Sequence, residues 1–215
     1  ILGELGRGEL GVVHRAYSPK LGRVVALKTL QRIDPAALQR FKAEFRSLAG
    51  VSDPNLVALY ELVAEGDTWF FAMELVEGVN FLRYVRSGLD DDATDEGGGD
   101  SNALTPLRLI RIRWGLAQLV SAVAALHKAR VLHRDIKPSN IIVTPEERLV
   151  LLDFGLAAEL SGEGAYVSTD ANVVGTAAYM SPEQAASGDV TQASDWYAVG
   201  VVLYEALTGR LPFTG

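Results

Sequence analysis

The 215-residue sequence contains no cysteine, which excludes disulfides and thiolate metal sites and suits a reducing compartment. Long apolar runs are also missing: "WYAVGVVLY" stops at Glu205 and "LVLL" at Asp153, both well short of a membrane span. No basic, apolar leader opens the chain, because Ile1 begins in the middle of a strand-like pattern. Positive charge is scarce. The net charge is −7, yet six acids (Asp90, Asp91, Asp92, Asp95, Glu96 and Asp100) fall in residues 88–104, which contain no Lys or Arg, and the remainder carries only −1. That balance gives no reason to expect nucleic acid or anionic lipid as a partner, and no membrane contact is expected of this segment. The cytoplasm is the expected location.

What is present is enough apolar material for a sizeable core, 48% of residues. Residues 1 to 30 read as three strands, "ILGELG", "GVVHRAYS" and "RVVALKTL", broken by glycines and a Pro19–Gly22 turn. Asp34 followed by Pro35 signals a helix start, and the helix is expected to run to Gly50. "LVALYELVAEG" and "TWFFAMELVEG" add two strands. From about residue 80 the pattern turns helical. Thr105 and Pro106 cap a segment reaching His127, whose expected apolar face is Ile110, Ala117, Val120, Val123 and Ala124. Short strands "NIIV" and "LVLLD" follow, then a loop and a helix near 195–208. The spacing predicts two lobes joined near Glu77 and Gly78, with the acidic insert as a solvated loop.

Polar residues with a chemical use cluster in "VLHRDIKPSNIIV", residues 131 to 143, between apolar ends. Phosphoryl transfer needs a carboxylate near the attacking hydroxyl, a cation for the transferred charge and oxygen ligands for Mg²⁺. Asp135, Lys137 and Asn140 supply one of each. Asp153 in "LLDFG", 18 residues after Asp135, is a candidate second metal ligand. "GRGELG" supplies Gly6, Gly8 and Gly11, a pattern shared by dinucleotide folds and plain turns. Here "VVHRAY" continues as a strand, so a hairpin whose glycines admit phosphates fits better. Lys28 ends "VVAL" beside that loop, either as a point charge for phosphate oxygens or as a solvent-facing lysine, and Glu44 on the following helix is either its partner or, taken alone, a surface residue.

Taken in order, these motifs resemble those of eukaryotic-type Ser/Thr protein kinases, a family also found in bacteria. The resemblance spans nearly the whole chain: "GRGELGVV", "VALK", Glu44 before "DPNLV", "HRDIKPSN", "DFG", "GTAAYMSPE" and "DWYAVGVVLYEALTG". It implies an α+β, bilobal fold, with a small antiparallel β lobe carrying one helix over residues 1–76. A larger, mainly helical lobe would occupy 77–215, interrupted by the insert at 88–104. The chain starts inside the first strand and stops at "LPFTG", so it is expected to be truncated at both ends, without the last helices of the large lobe and without the partner they would give Glu183.

The resemblance also implies roles. Gly6, Gly8, Gly11 and Val13 would cover ATP, with Val13 and Ala26 against adenine and Ile142 a further nucleotide-binding residue. In "MELV", Met73 would guard the back pocket, and backbone groups of Glu74 and Val76 would bond the base. Lys28, paired with Glu44, would hold the α- and β-phosphates. Asn140 and Asp153 would bind Mg²⁺ or Mn²⁺, Asp135 would accept or orient the substrate hydroxyl proton, and Lys137 would stabilise the γ-phosphate. Asp195 would support the catalytic loop. "DIKPSN" and Thr176 have the Ser/Thr form, so the implied partners are ATP and protein substrates with Ser or Thr. Self-association for autophosphorylation is a further expectation, with Ser168 or Thr169 as its sites and Arg134 receiving the phosphate. Ala158 stands where many relatives place a cation. The rival readings are a catalytically inactive scaffold and a small-molecule phosphotransferase of related fold.

Overall fold

The computed structural model describes residues 1–8, 11–30, 39, 41–42, 45–46, 48–65, 68–87, 104–153 and 177–213. The Val- and Leu-rich N-terminal runs form five antiparallel strands: β1 (Gly3–Gly8), β2 (Gly11–Ser18), β3 (Arg23–Leu30), β4 (Leu59–Glu65) and β5 (Thr68–Met73). Their order is β1-β2-β3-β5-β4. In this sheet Val13 lies opposite Lys28, Lys28 opposite Phe71, and Ala26 opposite Met73. Directly opposed residues of antiparallel strands project to the same side, so all five share one face. A smaller apolar cluster of Ala16, Val25 and Ala72 lies apart from the main core.

The described residues between 39 and 49 are helical. Phe41, Phe45 and Leu48, spaced four and three apart, are buried on one side of that helix, and the rings of Phe41 and Phe45 lie 6.1 and 6.0 Å from that of Phe71. The anticipated cap at Asp34 and Pro35 lies outside the described residues.

The chain leaves the sheet after Met73 and reaches Gly78, where a Cβ would stand 2.2 Å from the Val143 carbonyl oxygen. Only glycine permits that approach. β6 (Val79–Asn80) then pairs with β7 (Ile141–Val143), which pairs with β8 (Leu149–Leu151). β6 was not foreseen, because two residues are too few to show alternation. Four helices complete the described residues: α1 (Phe81–Arg86), α2 (Pro106–Lys128), α3 (Pro182–Ala185) and α4 (Gln192–Thr208). Each is capped as its sequence suggests, α2 by the Thr105 hydroxyl accepting from the Arg108 amide and α4 by Gly209 at φ 73°.

The apolar face expected of α2 is corrected by the structure. Of Ile110, Ala117, Val120, Val123 and Ala124, only Val123 is buried. The buried stripe is Ile112, Gly115, Leu119, Ala122, Val123 and Leu126. Apolar residues occur all round this helix, so periodicity alone does not choose the face. Close helix packing does: a Cβ on Gly115 would lie 2.3 Å from the Phe81 ring, which only glycine clears. By length and composition α2 is also apolar enough to cross a membrane, a property not apparent from the shorter runs; in the structure its stripe faces the protein core. Arg108 on the same stripe is fully buried and donates from Nη2 to the Ala206 carbonyl at 2.8 Å, satisfying a carbonyl that the end of α4 leaves free.

Asp195, in the first turn of α4, ties that helix to residues 127–134. Its carboxylate is 2% exposed and accepts three hydrogen bonds: from the His133 amide at 2.9 Å, the Arg134 amide at 2.8 Å and His127 Nε2 at 2.8 Å. A buried charge is tolerated only when so satisfied. Replacing it by asparagine, which must turn an NH₂ towards one of these donors, is predicted to cost about 2–4 kcal/mol. Urea denaturation of Asp195→Asn should show that loss as a lower midpoint, and an unchanged midpoint would contradict the role given to this carboxylate.

Candidate active site

The catalytic-loop residues of the sequence converge. The Asp135 Oδ2 accepts from Lys137 Nζ at 2.9 Å and from Asn140 Nδ2 at 3.0 Å, and Asn140 Nδ2 also donates to the Asp135 carbonyl at 2.8 Å. Pro138–Asn140 form a single 3₁₀ turn leading into β7, which brings Asn140 back over Asp135. The Leu152 amide donates to the Asn140 carbonyl at 2.8 Å, so β8 delivers Asp153 beside the same loop. Asp153 Oδ1 in turn accepts from Lys28 Nζ at 2.7 Å. Lys28 is buried on the inner face of the five-stranded sheet, and Asp153 is its described ion-pair partner. Glu44, anticipated in that position, lies outside the described residues.

Two of the described non-glycine residues with positive φ lie in this site. Arg134 has φ 66° and Asp153 φ 54°, left-handed conformations that non-glycine residues seldom hold unless their surroundings enforce them. At Arg134 the enforcing contacts are the Asp195 carboxylate on its amide and Gln184 Nε2 on its carbonyl, at 2.8 Å each. Among the described residues the buried Arg134 Nε has no hydrogen-bond partner.

His133 has a defined tautomer. Nε2 faces the Leu152 carbonyl at 2.9 Å, an acceptor only, and so carries the proton; Nδ1 accepts from the Asp135 amide at 3.2 Å. Its complete burial pushes the imidazole pKa below the usual value, against the opposing pull of Asp135 and Asp195. Neutral His133 therefore bridges the loop to β8.

Most of the residues expected on the nucleotide side lie on the sheet. Val13, Ala26, Lys28 and Met73 share its inner face, and Gly6 and Gly8 of β1 pair with Val13 and Gly11 of β2. Gly11 has φ 134°, which demands glycine. At Gly6 a Cβ would meet nothing within 4 Å, so packing inside the protein does not call for glycine there. The Glu74 and Val76 carbonyls and the Val76 amide accept or donate no hydrogen bond among the described residues. Ile142 is half-buried in β7, opposite Val150. Phe154, Gly155, Ala158, Ser168, Thr169 and Thr176 lie outside the described residues.

The donor set suits a hard divalent cation. Asn140 uses its Nδ2 on Asp135, which turns Oδ1 away as a free carbonyl acceptor, and Asp153 offers a carboxylate. Among the described residues no group of three or more His, Cys, Asp or Glu is gathered as a metal site.

Three features were not legible beforehand. The Glu183 carboxylate finds a partner within the described residues, accepting from the Ser194 hydroxyl of α4, and that bond holds its pKa below the usual range. His127 joins Asp195 across 68 residues, and Arg148 joins Glu74 across 74. None of these pairs has a local spacing signal.

The lowered His133 pKa carries a sign. The unfolded chain binds this proton below about pH 6.5 while the folded chain resists it, so stability is present above that pH and lost as pH falls. As the pH falls below about 6.5 the denaturation free energy should fall with a slope of up to about 1.4 kcal/mol per pH unit. In His133→Gln that portion of the slope should vanish; an identical pH profile would remove His133 as its source.

The family model for the protein kinase domain matches residues 1–215. The chain is 36% identical over 218 residues to the serine/threonine-protein kinase PrkC of Bacillus subtilis, covering all of this chain and 31% of that protein. It is 37% identical over 222 residues to the serine/threonine-protein kinase PknB of Mycobacterium tuberculosis, covering all of this chain and 33% of that one. The chain thus spans about a third of the length of the curated relatives it matches. With this match over its whole length, and with the loop, lysine and β8 aspartate gathered in one place, the chain belongs to the protein kinase domain family.

Proposed function

We propose that the chain transfers the γ-phosphoryl group of ATP to serine or threonine hydroxyls of protein substrates. The observation that carries this reading is the continuous polar chain Lys137–Asp135–Asn140 and, through Leu152, Asp153–Lys28, which sets a proton acceptor, two cations and two oxygen ligands side by side. In the reaction the substrate oxygen bonds to the γ-phosphorus as the bond to the bridging oxygen of ADP breaks, and the hydroxyl proton goes to the Asp135 carboxylate. Lys137 and Asn140 hold that carboxylate in one orientation. Lys137 also places positive charge beside the group in flight, and Lys28 holds the preceding phosphates against the sheet. Asn140 Oδ1 and the Asp153 carboxylate are the residues that would hold Mg²⁺ or Mn²⁺, which when bound neutralises phosphate charge.

The Ser/Thr preference is supported by Lys137, which pairs directly with Asp135 in "DIKPSN", and by relatives named as serine/threonine-protein kinases. We place the reaction in the cytoplasm, where ATP is available, and infer that copies of the protein meet for autophosphorylation. An inactive scaffold has no use for the Asp135, Asn140, Asp153 and Lys28 arrangement, and no observation favours a small-molecule substrate.

With radiolabelled ATP and a generic protein substrate, Asp135→Asn should lower transfer by about 10²- to 10⁴-fold while nucleotide binding survives, because Asp135 acts on the nucleophile. Lys28→Met should lower both transfer and nucleotide affinity. Full activity in Asp135→Asn would exclude this assignment.

A further inference from the structure

Arg148 sits in the turn between β7 and β8, outside every motif of the proposed reaction. Its guanidinium is bidentate on Glu74, with Nη1 donating to Oε1 at 2.5 Å and Nη2 to Oε2 at 3.0 Å, while Nε donates to the Pro54 carbonyl at 2.6 Å. Glu74 directly follows Met73, where the chain leaves the sheet. Its carboxylate also accepts from the Ala58 amide at 3.3 Å, and its own amide donates to the Ala58 carbonyl at 2.8 Å. Both the side chain and the amide of Glu74 are thus held from behind, and its carbonyl has no hydrogen-bond partner among the described residues. Burial would raise the Glu74 pKa, but the bonds and charge of Arg148 and the Ala58 amide outweigh it and leave the pKa lowered. The Glu74 hydrogen bond is the main reason the Arg148 pKa is raised. The pair is therefore charged on both sides at neutral pH.

The pair keeps part of its surface in solvent, 37% of the Arg148 and 22% of the Glu74 side chain, so charge attraction alone says little about its role. Its geometry is more informative. A planar fork that meets both carboxylate oxygens while its third nitrogen is anchored on Pro54 fixes the orientation of what it holds; a lysine, a point charge, would not. Pro54 belongs to the segment that is itself bound into the large lobe: the Val57 amide donates to the Leu151 carbonyl at 3.1 Å, and the Leu151 amide to the Asn55 carbonyl at 2.8 Å. Arg148 thus joins β7–β8, the 54–58 segment and the residue after Met73 into one rigid unit.

We propose that Arg148 is a positioning residue for the nucleotide base, holding the Glu74 peptide, and the Val76 peptide two residues on, in the plane where an adenine edge meets them. The proposal rests on the kinase reading given above, in which those two peptides bond the base. It assigns to Arg148 a part in base recognition, made through Glu74 and without contact to the nucleotide. The phosphate side of the site, built on Lys28, Asn140 and Asp153, is independent of it.

The test compares Arg148→Met and Arg148→Lys with wild type by calorimetry, using Mg·ADP and Mg·tripolyphosphate, which carries phosphates and no base. Arg148→Met should weaken Mg·ADP binding by about tenfold and leave Mg·tripolyphosphate within about twofold. Arg148→Lys, which keeps the charge and should fold as wild type does, should fall between the two for ADP. The KM for ATP should rise in the same order. Equal loss for both ligands would mark a general structural role and overturn the proposal, as would unchanged ADP affinity in both variants. A wild-type protein that binds no Mg·ADP would overturn the kinase reading and this proposal with it, whereas normal wild-type binding with base-independent variants overturns the proposal alone.

Discussion

The buried carboxylate of Asp195 is the constraint on which the rest of the site depends. Hidden from water, it must find donors, and it finds them in two successive amides of the catalytic loop and one imidazole. The two amides are consecutive in the chain, and immediately after the second of them Arg134 takes a left-handed conformation (φ 66°) that turns the backbone into the next residue. The next residue is Asp135. Its position thus depends on Asp195 in the first turn of α4, 60 residues further along the chain. From Asp135 the hydrogen bonds run on through Asn140 and the Leu152 amide to Asp153, and from there to Lys28 in β3. A single connected set of short polar contacts therefore spans from the large-lobe helix to the small-lobe sheet.

The sheet contributes its share through register. Antiparallel pairing alone places Val13, Ala26, Lys28 and Met73 on one face, so a buried cation stands in an otherwise apolar surface and needs an anion in front of it. In the described structure Asp153 fills that need. Phosphate oxygens would fill it equally well, which is why an ion pair of this kind is compatible with a binding site: the lysine is already desolvated and aimed. Behind the sheet, Asn55 and Val57 pair with β8 and Arg148 grips Glu74, so both lobes meet at the residues that flank the nucleotide side.

Much of this was readable in the sequence, for physical reasons that differ by element. The strands of the sheet follow from Val- and Leu-rich runs separated by glycines, and the helix start at Thr105 follows from side-chain capping, whereas α4 was expected near 195–208 and begins at Gln192 behind the Thr191 cap. Asp135, Lys137 and Asn140 were legible because the chemistry needs them within one short loop. The inward face of α2 was not, since Ile110 and Val120 are as apolar as Ile112 and Leu119, and only the Gly115–Phe81 contact decides between them. The Arg148–Glu74 clamp and the partner of Glu183 were hidden for a different reason: each joins residues with no motif in common, and only the folded chain brings them together. Glu44 and the segment from Phe154 to Thr176 lie outside the described residues, so their expected roles stay with the resemblance that suggested them.

Native-state hydrogen exchange at two backbone sites tests the central claim most directly. If the Asp195 carboxylate organises the loop, the His133 and Arg134 amides exchange only through near-global opening, with protection within about 1–2 kcal/mol of the unfolding free energy, although they belong to no helix or strand. Exchange of those two amides within about tenfold of an unstructured peptide, in a protein otherwise folded, would contradict it.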